Sequence, residues 1–194
     1  GAIVEPQTQN LVVVLELVAG FTMRAFVCCT GGAGETPPTP LDRFQAILGA
    51  CRGLLYLHTR KPTIVHGDLK DTNVMVELLR HGVRTKLLDF GLARVVTRKA
   101  KPLGGTPGWV APELFTHPKS KPSADVFAFG LLLYFVSSGY RLLSGIRTED
   151  DALLHKPEQL AACWARADSF GSLEHSAIQA CVQLQEKARP GMQE

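Results

Sequence analysis

The segment His66-Gly67-Asp68-Leu69-Lys70-Asp71-Thr72-Asn73 sets carboxylates, an amine and a carboxamide in one short loop. A second segment, Leu88-Asp89-Phe90-Gly91, adds another carboxylate. Between them lie two short strand-like runs, 74–76 and 85–88, with His81-Gly82 in the turn. An Asp, a Lys and an Asn in one loop, with a second Asp beyond a hairpin, can converge on a metal-bound polyphosphate. Hard oxygen ligands suit Mg²⁺, which takes few protein carboxylates and leaves other positions to phosphate and water. Lysine suits phosphate as a mobile point cation. An Asp beside a substrate hydroxyl can accept its proton.

Outward from these segments the chain divides into strands first and a helical body after. Residues 2–4 and 11–17 are rich in β-branched and aliphatic side chains and predict a hairpin of two strands. Gly20 ends the second run, and 21–27 predicts a short helix. The stretch 31–40 is a loop by composition. Thr39-Pro40 then reads as an N-cap followed by proline in the first helical position. Leu41, Phe44, Ile47, Leu48, Cys51, Leu54 and Leu55 recur at helical spacing, which predicts an amphipathic helix to about His58. From Ala124 to Tyr140 the apolar residues are nearly continuous, as in a helix buried on all sides. Residues 152–167 and 173–187 read as further helices.

Composition narrows the class. The chain has 194 residues, 45% hydrophobic and 20% charged. That length fits one domain or a piece of one, and the apolar content excludes a disordered chain. Five cysteines, odd in number and without a CxxC pair, argue against a disulfide scaffold or a zinc site. Cys28 and Cys29 read as buried small hydrophobes. A net charge of +3 does not point to nucleic acid. No apolar run approaches the ~20 residues that span a bilayer. The chain opens without a signal peptide. These features predict a cytoplasmic protein with no membrane span.

At the two loop segments the sequence resembles the protein kinase catalytic domain. That family's catalytic loop, His-Arg-Asp-Leu-x-x-x-x-Asn, is followed by Asp-Phe-Gly and Ala-Pro-Glu. Here His66 to Asn73, Asp89-Phe90-Gly91 and Ala111-Pro112-Glu113 occur in that order. Gly105-Thr106-Pro107-Gly108-Trp109-Val110 is similar to the substrate-docking loop. The phrase from Gly105 to Glu113, with Gly53-Leu54-Leu55-Tyr56-Leu57-His58, looks most like the tyrosine-kinase-like group. Lys70 and Thr106 fit its serine/threonine-specific pattern.

The resemblance implies an α+β kinase-like fold. Residues 1–20 would be a remnant of the small lobe, two strands and the hinge, and 21–194 the large lobe. It implies ATP and Mg²⁺ as cofactors and a protein Ser/Thr hydroxyl as acceptor. Asp68 would orient that hydroxyl and take its proton, and Lys70 would contact the γ-phosphate. Asn73 and Asp89 would hold the metal. The backbone of Glu16, Leu17 and Val18 would meet the adenine edge, with Leu15 guarding the deeper pocket and Met75 closing the site from below. Asp125 would brace the His66 loop, His66 would be structural, and Arg189 would pair with Glu113. The remaining histidines, His58 among them, read as solvated or capping residues. Oligomeric state is not legible.

Two departures qualify the resemblance. Gly67 stands where the family usually has Arg, which normally meets a phosphorylated residue of the activation segment. No Gly-rich loop or Val-Ala-x-Lys strand precedes the hinge, and Gly31-Gly32-Ala33-Gly34 lies after it. The chain thus reads as beginning at the fourth small-lobe strand, and by itself it is expected to be inactive. Two other readings follow: a pseudokinase or scaffolding module of the same fold, and a small-molecule phosphotransferase of the aminoglycoside- or choline-kinase kind, whose loop His66-Gly67-Asp68 resembles.

Overall fold

A computed structural model describes residues 2–4, 11–30, 36–97, 104–116, 119, 121–143 and 171–193. The fold is α+β. Strands β1 (Ala2–Val4) and β2 (Leu11–Val13) form an antiparallel hairpin with Ile3 opposite Val12. The ladder ends at the Ala2–Val13 pair, so β2 is shorter than its apolar run; Val14, Leu15 and Leu17 beyond it are exposed.

The chain enters the body through β3 (Phe21–Thr22) and helix α1 (Met23–Cys28). The Thr22 hydroxyl accepts from the Ala25 N–H and caps α1. Residues 21–27 are therefore part strand and part helix. Met23, Phe26 and Val27, at helical spacing, are the buried face of α1. Cys28 and Cys29 fall off that face and are exposed, contrary to their reading as buried hydrophobes.

Helix α2 (Pro40–His58) starts where Thr39-Pro40 predicts. Thr39 and Asp42 form a reciprocal capping box, and Pro40 takes the first turn, where no N–H is needed. The buried face carries Ala46, Ile47, Ala50, Leu54 and Leu57. It lies on β6 (Gly82–Leu87), which forms a hairpin with β5 (Val74–Leu79); both strands are longer than their apolar cores suggest. The Thr85 hydroxyl donates to the Ala46 carbonyl at 2.8 Å, and Gln45 accepts from the Val83 N–H at 3.0 Å. With β3 these strands make a three-stranded antiparallel sheet in the order β3-β5-β6. Two strands without a sequence signal, β4 (Ile64–Val65) and β7 (Arg94–Val95), pair across the site described below.

Short helix α3 (Glu113–Thr116) leads into α4 (Pro122–Ser138), the core of the body. Residues 124–132 of α4 are all buried, as the continuous apolar run predicts. Phe127, Leu131 and Leu132 are almost fully enclosed, and each such side chain contributes about 1.5–3 kcal/mol by leaving water. Gly139, in the left-handed conformation, ends the helix. Helix α2 packs on one side of α4 and α5 (Ser172–Cys181) on another. A Cβ at Gly130 would stand 2.6 Å from Cys181 Cβ, so glycine permits this close approach. Burial raises the Cys181 thiol to about 11. Helix α5 ends at Cys181, and a 3₁₀ turn follows at Glu186–Ala188. The helix read over 152–167 lies outside the described residues.

Candidate active site

The loop 66–73 runs from β4 to β5, and its first two residues are held by one side chain. Asp125, in the first turn of α4, is buried. Its Oδ2 accepts from the His66 N–H at 2.8 Å and its Oδ1 from the Gly67 N–H at 2.9 Å. His58 Nε2, from the end of α2, lies 2.8 Å from the same Oδ2. A buried carboxylate is tolerable only when paired in this way. Asp125 thus braces the loop as the resemblance implied. His58 is its second support rather than a solvated residue. Gly67 has φ +80°, a conformation that glycine takes without the penalty of a side chain.

His66 is fully buried. Its Nδ1 accepts from the Asp68 N–H at 3.3 Å, so Nε2 carries the hydrogen donated to the Leu88 carbonyl at 3.0 Å. The His66 ring also meets the Phe90 ring, with centroids 5.2 Å apart. His66 therefore joins the two motif segments structurally.

Asp68 sits at the centre of a polar network. Lys70 Nζ donates to its Oδ2 at 2.7 Å and to the Thr106 hydroxyl at 2.7 Å. That hydroxyl in turn donates to Asp68 Oδ1 at 2.7 Å. Asn73 Nδ2 donates to the Asp68 carbonyl at 2.9 Å and to Oδ2 at 3.1 Å. Carboxylate, ammonium and hydroxyl are thus locked together, and Asp68 accepts from each neighbour. These bonds hold the carboxylate in one orientation.

Asp89 begins the Phe90–Leu92 3₁₀ turn with φ +59°, and its Oδ1 accepts from the Gly91 N–H at 3.2 Å. The Leu88 N–H donates to the Asn73 carbonyl at 2.8 Å and ties the segments side by side. Among the described residues, Asn73 Oδ1 and Asp89 Oδ2 have no hydrogen bond. Both are hard oxygens, suited to a divalent metal. No group of three or more His, Cys, Asp or Glu among the described residues forms a self-sufficient metal cage.

The segment expected to meet adenine lies beside the hairpin. Leu15 is 80% exposed and Leu17 93%, and Glu16 is exposed also, while Val18 is half-buried. Glu16 pairs with Lys86, and this cation holds the Glu16 carboxyl below its ordinary range. Lys86 faces Met75 across the β5–β6 ladder, and Thr22 faces Met75 from the other side. Met75 itself is half-buried.

Two ion-pair clusters frame the site. Arg189 reaches Glu113 with Nη1 and Nη2 at 2.6 and 2.7 Å, and it also donates to the carbonyls of Gln183 and Ser123. This is the pairing implied for Ala111-Pro112-Glu113. The second cluster had no sequence signal. Asp71, fully buried, accepts two hydrogen bonds from Arg24 at 3.0 and 3.1 Å. It also accepts from Arg141 Nε and Nη2 at 2.8–3.1 Å. Burial pushes the Asp71 carboxyl above the ordinary carboxylate range, and Arg24 opposes that rise.

Comparison with known proteins decides the family. The family model described as protein kinase domain matches residues 3–194. The chain belongs to the protein kinase domain family. The kinase domain is also 36% identical over 143 residues to an L-type lectin-domain containing receptor kinase of Arabidopsis thaliana, covering 71% of this chain and 21% of that protein. It is 34% identical over 146 residues to Receptor protein kinase WSS1 of Oryza sativa subsp. japonica, covering 73% and 16%. It is 40% identical over 119 residues to a probable LRR receptor-like serine/threonine-protein kinase of Arabidopsis thaliana, covering 58% and 19%. The chain spans about a fifth of the length of these relatives. A protein kinase domain uses ATP and a divalent metal and acts on a protein. No helix among the described residues is long and apolar enough to cross a membrane.

Proposed function

We propose that this domain belongs to a serine/threonine kinase that transfers the γ-phosphate of ATP to a protein hydroxyl. The observation that carries this reading is the Thr106 hydroxyl held between Lys70 and Asp68. It joins the docking loop to the proton acceptor and the phosphate-facing cation. Asp68 accepts the proton of the substrate hydroxyl, and Lys70 meets the γ-phosphate. Asn73 and Asp89 hold Mg²⁺, which neutralises phosphate charge when bound. The backbone of Glu16, Leu17 and Val18 meets adenine, with Leu15 at the deeper pocket and Met75 beneath. Residues 1–20 carry small-lobe strands and the hinge, and 21–194 form the large lobe. This reading keeps the cytoplasmic placement expected from the sequence.

The test is phosphate transfer from MgATP to Ser-, Thr- and Tyr-containing peptides by a form extended upstream of Gly1, with Asp68→Asn in that form beside the parent. Transfer to Ser and Thr should fall by about 10²–10⁴-fold in the variant. Undiminished transfer in Asp68→Asn, or transfer to Tyr alone, overturns the reading. Nucleotide binding with no transfer favours the scaffolding alternative. Transfer to small alcohols or amines but not to peptides favours the small-molecule alternative.

A further inference from the structure

The kinase chemistry leaves the Arg24–Asp71–Arg141 cluster without a task. Asp71 is adjacent to Lys70 in the loop that carries Asp68. Arg141 lies over the Trp109 ring, its guanidinium carbon 5.7 Å from the centroid. Trp109 belongs to the same docking loop as Thr106, and its N–H donates to the Thr106 carbonyl. The two arginines therefore border the strip where a peptide must lie to present a hydroxyl to Asp68.

Their chemistry is only partly spent. A guanidinium has five N–H donors, and each arginine here turns its Nε and Nη2 toward Asp71. The Nη1 groups of both have no hydrogen bond to a described residue. Arg24 is 46% and Arg141 37% exposed at the side chain, whereas Asp71 is sealed beneath them. Two cations over one buried anion leave a net positive patch, with its two forks fixed in place by the carboxylate. Preorganised guanidinium forks favour carboxylate or phosphate groups.

We propose that Arg24 and Arg141, held by Asp71, form an anion subsite of the peptide cleft that selects substrates with an acidic side chain near the phosphoacceptor. The proposal rests on the kinase reading above and names a substrate class for it. Asp71 is then a positioning residue, and the arginines determine specificity.

The test uses the same upstream-extended form and serine peptides that carry Asp, phosphoserine, Ala or Arg at each flanking position. Binding is read by fluorescence anisotropy and transfer by kcat/KM. At one or two positions, acidic peptides should bind the parent about tenfold more tightly than alanine peptides. The phosphoserine arm separates a phosphate-directed subsite from a carboxylate-directed one. Arg24→Gln and Arg141→Gln should each lower the acidic-to-alanine ratio, and Arg141→Lys should restore part of it. Equal binding of acidic and alanine peptides by the parent overturns the proposal and requires no variant to fold. An acidic preference undiminished in both Gln variants overturns it as well. Acidic selectivity in binding with no transfer to any peptide rejects the kinase reading but not the subsite. Transfer without acidic preference does the reverse.

Discussion

The catalytic loop and the hinge segment are both short, irregular stretches beside the same hairpin, yet they are built in opposite ways. In the loop 66–73, His66, Asp68, Asp71 and Asn73 are all buried polar groups. Their hydrogen bonds come from elements far away in sequence: α1, α4, the docking loop and Arg141. In residues 14–19, Leu15 and Leu17 stand in solvent, and the described ion pair is the surface contact of Glu16 with Lys86. Irregular backbone is therefore not the same thing as unsupported backbone. A loop without regular hydrogen bonding is rigid when buried side-chain partners replace the missing ladder. The exposed segment 14–19 has fewer buried partners and belongs nearer the low-stability end of the fold.

Breaking the loop should be costly. Asp125→Ala removes the acceptor of the buried His66 N–H and the half-buried Gly67 N–H, and the partner of His58. We expect a loss of about 4 kcal/mol in urea unfolding, with the far-UV spectrum at zero denaturant showing whether the fold survives. Thr106→Val deletes one hydroxyl between Lys70 and Asp68 and should cost about 1 kcal/mol in the same experiment. Its effect on transfer should be larger than that stability loss accounts for. On the hinge side, Leu17→Ala should change stability by less than about 0.5 kcal/mol, because the side chain is already in water. A loss of several kcal/mol there would mean that the contrast drawn above is mistaken.

The Glu16–Lys86 pair makes the stability of the hinge side depend weakly on pH. Lys86 depresses the Glu16 carboxyl in the folded protein, so the folded state binds this proton less readily than the unfolded chain. The stabilisation is present above the unfolded carboxylate range near 4.5 and is lost as pH falls through the lower folded value. Lys86→Met should therefore be slightly less stable than the parent at neutral pH, and the gap should close in acid. Lys86 also stands 3.8 Å from Glu77, which Arg84 already neutralises at 2.6 Å. A gap that persists unchanged to low pH would assign the effect to lost packing of the lysine stem.

Much of this architecture was legible because it is written locally. The Thr39-Pro40 start of α2 and the unbroken apolar run of α4 each carry their signal within a few residues. Asp125 and the Glu113–Arg189 pair were legible only through the family resemblance, since nothing in a lone Asp or Arg announces a partner. His58 and the arginines on Asp71 were missed for the same reason. His58 meets a carboxylate 67 residues away, and Arg141 one 70 away. Cys28 and Cys29 were misread because a small-hydrophobe preference says nothing about phase on a helix. Met23, Phe26 and Val27 set that phase, and the two thiols fall outside it. Strands β4 and β7 are two residues each, too short for any periodicity to register.

The Glu113–Arg189 brace also has a consequence for biosynthesis. Its partners are 76 residues apart, and at about 5–20 residues per second a ribosome needs roughly 4–15 s between them. During that interval the Ala111-Pro112-Glu113 segment exists without its guanidinium. Chaperone engagement or proteolytic nicking of the nascent docking loop should therefore be concentrated in this window and end when Arg189 emerges.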